Sequence, residues 1–386
     1  MQIRRRTAAF ALVIGCSISC ATPFAWRLRS NGDDNVIESF DVASNGDFLL
    51  LPVRIGGEQF PFVVDTGSAM NVFDKSLEKH LVLTSAVGKP PNGGPEIQLY
   101  SSPTAFVGRR EFPVTGYAKL RDLSAFRDRT GHDIRGILGM AFLRKHVIEI
   151  RFDSGRLSFL KRADESSRTP IAITDDEYQC PIVAVRLPDL GDRPFLVDTG
   201  MCAFTNGCLL ALTIDALARS GHLEVHPKTS WCLGYDGIHG GYRQVTIDAF
   251  SLGDYHCESG TFCEGDNDSL SLKYLSRFNA TFDFPSRRLY LTPTNRFELR
   301  FPFNETGIET APRARCGVEV SSVAPGSPGD AAGIRAGDLM LQINGSDARN
   351  LSCYQIRAMF CELPNPLRLR IRSGTAEPAR DVEIRR

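Results

Sequence analysis

The sequence predicts a mainly β protein with two homologous β lobes in one chain, followed by a C-terminal α+β domain. Two nearly identical runs predict the lobes, FVVDTG at residues 62–67 and FLVDTG at residues 195–200. Further along, the run RLSF at 156–159 matches RLYL at 288–291 in register with other matching pairs. A repeat held in register over this length indicates duplicated units. Its short apolar runs, broken by Gly and Pro, are typical of strands.

The repeat divides the chain into successive segments. We expect a signal peptide at 1–21, a linker or N-terminal arm at 22–44, a first lobe at 45–165, a second lobe at 166–295 and a C-terminal domain at 300–386. Each lobe then has an ordinary domain size of roughly 110–130 residues.

Each half delivers one aspartate to the end of an apolar strand, Asp65 in the first half and Asp198 in the second. A buried carboxylate is costly unless something uses it. Two carboxylates from similar halves therefore predict one shared site at a pseudo-twofold axis. Because adjacent carboxylates resist ionising together, one holds a proton while the other is a base, as acid–base chemistry requires.

These triplets resemble those of the retropepsin-like and pepsin-like aspartic peptidases. In that family each acid-protease β-barrel lobe supplies Asp-Thr/Ser-Gly, and a later apolar-apolar-Gly segment closes around it. The first half has both parts, DTGS at 65–68 and GILGMAFL at 136–143. In the second half, Ser271 stands where the first has Gly139, and Met201 follows the triplet where the family has Ser, Thr or Ala. The resemblance covers about residues 45–293.

The resemblance implies that Asp65 and Asp198 are the catalytic pair, sharing one proton and holding a water without metal or organic cofactor. Ser68 would donate a hydrogen bond to Asp65, which Met201 cannot do for Asp198. We therefore expect an asymmetric pair in which Asp65 is the resting carboxylate.

The other triplet residues have supporting roles by the same resemblance. Thr66 and Thr199 would bond across to the backbone of the opposite lobe. Gly67 and Gly200 would let the backbone approach the carboxylates, so that N–H groups support them.

Flaps, which are mobile hairpins over a peptide cleft, are predicted in both halves. In the second half the run GYDGIHGGY supplies glycines for tight turns and tyrosines to cover a peptide. The flap candidates are Tyr235, Gly237, Gly240 and Tyr242. In the first half, the run PNGGP at 91–95 is the equivalent candidate.

From about residue 301 the chain resembles a bacterial-type PDZ domain, with AAGIRAGD at 331–338 and a tight turn at Asn344-Gly345. Residues 351–361 have helical spacing, and 367–371 alternate like an edge-accessible strand. PDZ domains bind extended peptides, often C-terminal tails, as an added strand. The resemblance thus implies a peptide C-terminus as a partner at this groove, and a purely structural cap is the alternative.

The charge composition bears on the partners of the protein, and the N-terminal sequence bears on its cellular compartment. Forty-five basic and 45 acidic residues give no net charge, so no nucleic-acid partner is expected. Arginines at positions 4–6 precede an apolar stretch at 8–15, as in a secretory signal. The run VIGC at 13–16 resembles a lipobox, in which Cys16 would carry a lipid anchor, and ordinary cleavage near Ala21 is the alternative. We expect an exported protein, periplasmic or associated with the cell envelope.

The cysteines and histidines bear on disulfide bonds and metal sites. The second lobe is expected to hold disulfides, since it contains Cys180, Cys202, Cys208, Cys232, Cys257 and Cys263. Local pairs are Cys202 with Cys208, Cys257 with Cys263 and Cys353 with Cys361, but the sequence leaves connectivity open. The seven histidines have no metal-ligand spacing, so no metal site is predicted.

The resemblance implies an exported aspartic endopeptidase that hydrolyses an extended peptide or unfolded protein segment, with a PDZ domain that binds peptide or regulates access. The alternative is a catalytically inactive, protease-like protein that binds peptides or serves as a scaffold. Met201 and Ser271 favour that alternative because they depart from the family pattern. Replacing Asp65 or Asp198 by Asn distinguishes the two.

Overall fold

The structure is a computed structural model. It describes residues 33–88, 96–164, 169–234, 237–298, 304–310, 318–351, 353–362, 366–374 and 377–385. The predicted signal peptide, the start of the predicted arm, the first-half flap candidate at 91–95 and the flap candidate Tyr235 lie outside these residues.

The first lobe is built from short strands with two short helices. Its strands are β1 (Val36–Asp41), β2 (Leu50–Ile55), β3 (Glu58–Val64), β4 (Asn71–Asp74), β5 (Val82–Gly88), β6 (Ile97–Ser101), β7 (Ala105–Val107), β8 (Tyr117–Arg121), β9 (Gly136–Leu138), β10 (Val147–Arg151) and β11 (Arg156–Leu160). Its helices are α1 (Ser124–Thr130), α2 (Met140–Leu143) and a 3-10 turn at Lys75–His80. Gly56 and Gly57 both have positive φ, which is the conformation of the tight turn that joins β2 to β3.

The second lobe repeats this plan. Its strands are β12 (Ile171–Ala172), β13 (Thr174–Asp175), β14 (Pro181–Leu187), β15 (Gly191–Asp198), β16 (Gly207–Leu209), β17 (Leu223–Gly234), β18 (Gly237–Ile247), β19 (Phe250–Leu252), β20 (Tyr255–Cys257), β21 (Gly260–Glu264), β22 (Ser269–Ser271), β23 (Phe278–Asp283) and β24 (Arg288–Pro293). Its helices are α3 (Ala211–Arg219) and α4 (Leu272–Leu275).

The main sheets of the two lobes have the same strand order. The first runs β5-β6-β8-β4-β9-β3-β2-β7, and the second runs β17-β18-β21-β16-β22-β15-β14-β19 before ending in β20. In each sheet the strand before the triplet has a parallel neighbour, β9 beside β3 and β22 beside β15. The two lobes are therefore both mainly β, as predicted, and they share one topology.

A further sheet is shared by both lobes, in the order β1-β11-β10-β23-β24-β12. It contains the repeated segments that extend the match beyond the triplets, and β10 pairs with its counterpart β23 across the lobe boundary. Residues 36–41 of the predicted arm form β1 and pair with β11 in this sheet. One hydrophobic cluster runs through both lobes, with Phe62, Phe152, Phe195 and Phe282 among its members.

The C-terminal domain has its own sheet and its own core. Its elements are β25 (Ile308–Thr310), β26 (Val318–Val323), α5 (Pro328–Ala331), β27 (Asp338–Ile343), β28 (Ser346–Asp347), a 3-10 turn at Ala348–Asn350, α6 (Cys353–Glu362), β29 (Leu367–Ser373) and β30 (Arg380–Ile384). Ile356 and Phe360 on α6 are buried in this core. Asn344 and Gly345 both have positive φ in the β27–β28 turn, as expected. The edge-strand prediction is wrong, because β29 pairs with both β27 and β30.

Candidate active site

The two triplets meet through their threonines. Thr66 Oγ1 donates to the Val197 main-chain oxygen at 2.5 Å, and Thr199 Oγ1 donates to the Val64 oxygen at 2.9 Å. Each hydroxyl also accepts the other threonine's N–H at 3.0 Å. Both threonines are buried, so these reciprocal bonds satisfy polar groups that water cannot reach. They fix the ends of β3 and β15 against each other.

The glycines bring each carboxylate against the opposite lobe. A Cβ on Gly67 would lie 2.6 Å from Asp198 Cγ, and one on Gly200 would lie 2.5 Å from Asp65 Oδ1. Only a residue without a side chain leaves room for this approach. The structure therefore brings Asp65 and Asp198 into one site, where each carboxyl group lies against the glycine of the opposite triplet.

Backbone N–H groups support both carboxylates. Gly67 N–H donates to Asp65 Oδ1 at 2.8 Å. Asp198 Oδ1 accepts two bonds, from Gly200 N–H at 2.8 Å and from Met201 N–H at 3.0 Å. Met201, which departs from the family pattern, thus supports the Asp198 carboxylate with its main-chain N–H. Its side chain lies 3.9 Å, sulfur to sulfur, from Cys208.

The surroundings shift the pKa values of the two aspartates differently. Burial raises the pKa of Asp65 well above its usual value, and the charge of Asp198 raises it further. Burial also raises the pKa of Asp198, but the N–H groups of Gly200 and Met201 oppose this rise. Asp198 accepts two main-chain N–H groups and Asp65 accepts one, which favours Asp198 as the charged member. The pKa directions and these contacts run against the expectation that Asp65 is the resting carboxylate.

Ser68 does not have the predicted partner. Its hydroxyl donates to the main-chain oxygen of Met70 at 2.9 Å, not to the Asp65 carboxylate. The hydroxyl closes the loop after the first triplet. The physical reason is competition, since a carbonyl two residues ahead is a nearer acceptor for a short side chain in a turn.

Ser271 is accommodated where the first lobe requires glycine. In the first lobe, a Cβ on Gly139 would lie 2.5 Å from the Ser68 main-chain oxygen. In the second lobe, Ser271 Oγ donates to the Thr205 oxygen at 2.6 Å and accepts the Tyr274 N–H at 3.3 Å. The hydroxyl thereby caps α4 and fixes the loop that follows Asp198.

The flap candidates fall on the hairpin at one end of the second sheet. Gly237, Gly240 and Tyr242 lie in β18, which pairs with β17 along its length. Their flap role stays a prediction. The first sheet has its equivalent hairpin in β5 and β6.

Two contacts around the second triplet were missed by the sequence argument. Cys202 Sγ lies 3.4 Å from the Gly46 oxygen and 3.7 Å from Asp47 Oδ1, and Asp47 is in turn 3.1 Å from His132 Nε2. These contacts attach the loop after Asp198 to the first lobe. No motif or spacing connects residues so far apart in the chain.

The second missed contact joins the C-terminal domain to the same loop. Phe204, which is buried, lies with its ring centroid 5.6 Å from the Arg357 guanidinium on α6 and 5.5 Å from Lys273 Nζ. Cys361 on α6 packs on the same ring. We call these four residues the Phe204 contact.

Comparisons with known proteins identify the C-terminal domain. Residues 319–359 match the family described as PDZ domain. No curated protein sequence matches the chain. Among solved structures, an aspartic proteinase from Irpex lacteus is similar with a TM-score of 0.41 and 14% identity, covering 68% of this chain and 98% of that chain. A photosystem II D1 C-terminal processing protease is similar with a TM-score of 0.20 and 24% identity, and the match spans 22% of that chain and 21% of this one.

Two properties of the described residues concern membranes and metal ions. No helix in the described ranges is long and apolar enough to cross a bilayer. Among the same residues, no three His, Cys, Asp or Glu side chains cluster as ligands for a metal ion.

Proposed function

We propose that the chain is an aspartic-type endopeptidase in which Asp65 and Asp198 activate a water molecule. The observation that carries the proposal is the meeting of two carboxyl groups, delivered by equivalent strands of two duplicated lobes, each packed against the glycine of the other triplet. Such a pair holds one proton over a broad pH range, which supplies an acid and a base at the same place.

Each carboxyl group has one role in the proposed reaction. The Asp198 carboxylate takes a proton from water while the water oxygen attacks the scissile carbonyl carbon. Protonated Asp65 gives its proton to the carbonyl oxygen, so a neutral tetrahedral diol forms. The proton on Asp198 then passes to the departing amine nitrogen as the C–N bond breaks. The remaining hydroxyl proton returns to Asp65, which restores the starting state.

The proposed substrate is an extended peptide or an unfolded protein segment. In the first lobe β5 is a sheet edge, and three of its side chains are exposed although apolar, Val82, Leu83 and Val87. An edge strand with exposed apolar side chains can accept an extended chain through main-chain hydrogen bonds.

Substitution of the two aspartates tests the proposal. An unbiased peptide library, incubated across pH with the full chain, should be cleaved by the wild type and by D192N. Asp192 is exposed on the same strand as Asp198 and pairs with Arg186, which makes D192N a matched control. D65N and D198N should lose at least ~10³-fold in rate, because each removes one half of the acid–base pair. A statine-type inhibitor should stop the wild type.

The alternative function is peptide binding without hydrolysis. It predicts that peptides bind the wild type, D65N and D198N alike and that none of the three proteins cuts them. Cleavage that persists in both variants would reject the proposed mechanism.

The PDZ domain and the compartment complete the proposal. The PDZ groove is proposed to bind a peptide C-terminus, and the Phe204 contact offers a route by which the domain regulates access to the site. We also propose export to the periplasm or cell envelope, on the pattern of residues 1–21. Cell fractionation tests this, and C16A tests lipid anchoring: a shift from the membrane to the soluble envelope fraction is expected only if Cys16 is acylated.

A further inference from the structure

Two cysteines that are far apart in sequence lie side by side behind the second triplet. Cys208 is on β16 and Cys263 is on β21, and the two are direct partners in a parallel pair of strands. Their sulfur atoms are 3.1 Å apart, and both residues are buried. Partners in neighbouring strands have their side chains on the same face, about 4.8 Å apart along the hydrogen-bonding direction. This separation lies within the Cα range that a disulfide spans, roughly 4.4–6.8 Å.

The surroundings leave room for the pair. A Cβ on Gly265 would lie 2.7 Å from Cys208 Cβ and 3.0 Å from its sulfur. The residue that packs closely against Cys208 is therefore one without a side chain. Cys263 Sγ also lies 3.9 Å from Thr205 Oγ1 and 3.6 Å from the Gly207 oxygen. The two cysteines are thus held together by strand register, and their contact does not depend on a mobile loop.

We propose that Cys208 and Cys263 form a disulfide bond that joins β16 to β21. The inference does not rest on the proposed peptidase activity. It replaces two of the local pairs expected from sequence, Cys202 with Cys208 and Cys257 with Cys263. All four of these cysteines are free thiols in the structure, and strand register brings Cys208 to Cys263.

The bond forms by thiol–disulfide exchange with a low-molecular-weight disulfide such as glutathione disulfide. The Cys263 thiolate attacks one sulfur of glutathione disulfide, which breaks that S–S bond and releases one glutathione. The Cys208 thiolate then attacks Cys263 sulfur, which forms the protein disulfide and releases the second glutathione. Two cysteine thiols are oxidised, one glutathione disulfide is reduced, and the two protons end on glutathione.

The position of the bond gives it a structural role. β16 follows the loop that leads away from Asp198, and β21 pairs with β18 of the long hairpin. Burial means that the exchange occurs while the lobe folds, before the sulfurs are covered. The disulfide would close a loop of more than 50 residues in the unfolded chain, which stabilises the folded lobe by limiting the unfolded ensemble.

Peptide mapping of the full chain tests the proposal. The protein is refolded with reduced and oxidised glutathione, its thiols are blocked in denaturant, and it is digested with trypsin. One tryptic peptide, 187–219, carries Cys202 and Cys208, and another, 244–273, carries Cys257 and Cys263. We expect these two peptides to be joined in the wild type, in C202A and in C257A. We expect them to be separate in C208A and in C263A.

Thermal unfolding gives a second readout that does not depend on any one variant. Protein refolded under oxidant should unfold about 10 °C higher than protein refolded and kept in reductant. The C208A/C263A double variant should show no such difference, whereas C180A, which removes an equally buried thiol from the same lobe, should keep it. Separate peptides in oxidised wild type, or a cross-link that survives in C208A or C263A, would overturn the proposal.

Discussion

Asp65 and Asp198 are the same side chain at equivalent ends of equivalent strands, yet they accept different numbers of main-chain hydrogen bonds. Met201 N–H donates to Asp198 Oδ1 at 3.0 Å. The corresponding N–H of Ser68 also lowers the pKa of Asp65, but it is the weakest of the groups that shift that pKa. The Met201 main-chain N–H thus supports the Asp198 carboxylate, the role expected of the side-chain hydroxyl that Met201 lacks. Met201 is therefore compatible with an active pair.

The raised pKa of Asp65 predicts how stability depends on pH. The folded state binds this proton more tightly than the unfolded state, so its contribution is complete below the unfolded pKa, about 4. That contribution is lost as pH rises through the higher folded pKa. D65N keeps a neutral donor at all pH values, so it should have a higher Tm than wild type at pH 7. The difference should vanish near pH 3.5, and a Tm gap that grows on acidification would contradict the assignment.

Ser68 provides a prediction that separates structure from catalysis. Because its hydroxyl bonds to the Met70 oxygen, S68A should leave both limbs of the pH–rate profile where they are in the wild type. It should lower the free energy of unfolding by about 1 kcal/mol through the lost hydrogen bond. A shifted limb with unchanged stability would mean that the hydroxyl acts on Asp65 after all.

At the scale of elements, the ends of β3 and β15 are held together by the reciprocal threonine bonds. T199V should remove the donor to the Val64 oxygen and the acceptor for the Thr66 N–H. Both partners would remain buried, so we expect a loss of about 1–3 kcal/mol per unsatisfied group, measured as a lower midpoint of urea unfolding. T199S keeps the hydroxyl and should recover most of the loss. Equal midpoints for T199V and wild type would show that the bonds do not hold the lobes.

The sequence could predict the elements whose signal is local. The repeated apolar runs predicted both triplet strands, and Asn344-Gly345 predicted the β27–β28 turn. Contacts that depend on strand register could not be predicted. Cys208 meets Cys263 only because β16 lies parallel to β21, and β29 is an interior strand only because β30 returns beside it. The triplet spacing predicted that the aspartates would meet, but it could not predict that Asp198 would accept the Met201 N–H as well as that of Gly200.

At the scale of the whole molecule, α6 of the PDZ domain lies beside α1 of the first lobe and also contacts the loop that carries the second triplet. Leu272 N–H donates to the Met201 oxygen at 3.0 Å, and Ser271 Oγ donates to the Thr205 oxygen. Phe204 lies within the same loop, so the Arg357 contact is only a few residues from the main-chain group that supports Asp198. A change in the position of α6 is therefore expected to reach the carboxylate pair through this loop.

Removing the Arg357 contact tests that coupling. R357A should change the rate of peptide cleavage several-fold, because it frees one side of the Phe204 ring, while the preferred cleavage sequence stays the same. A chain ending at Pro293 should have the same signature. R368A removes an exposed arginine from the same domain and should behave as wild type. Altered cleavage preference in R357A would indicate that the PDZ domain forms part of the substrate cleft.

The pairing of β10 with β23 makes each half of the body structurally dependent on the other. Cut between the lobes, the first half would hold one aspartate and would present β10 as an open edge with unsatisfied main-chain groups. It could regain both a partner strand and a second carboxylate by meeting another copy of itself about a twofold axis. The internal duplication therefore gives a single chain the two edge strands and two carboxylates that a symmetric dimer of first lobes would need.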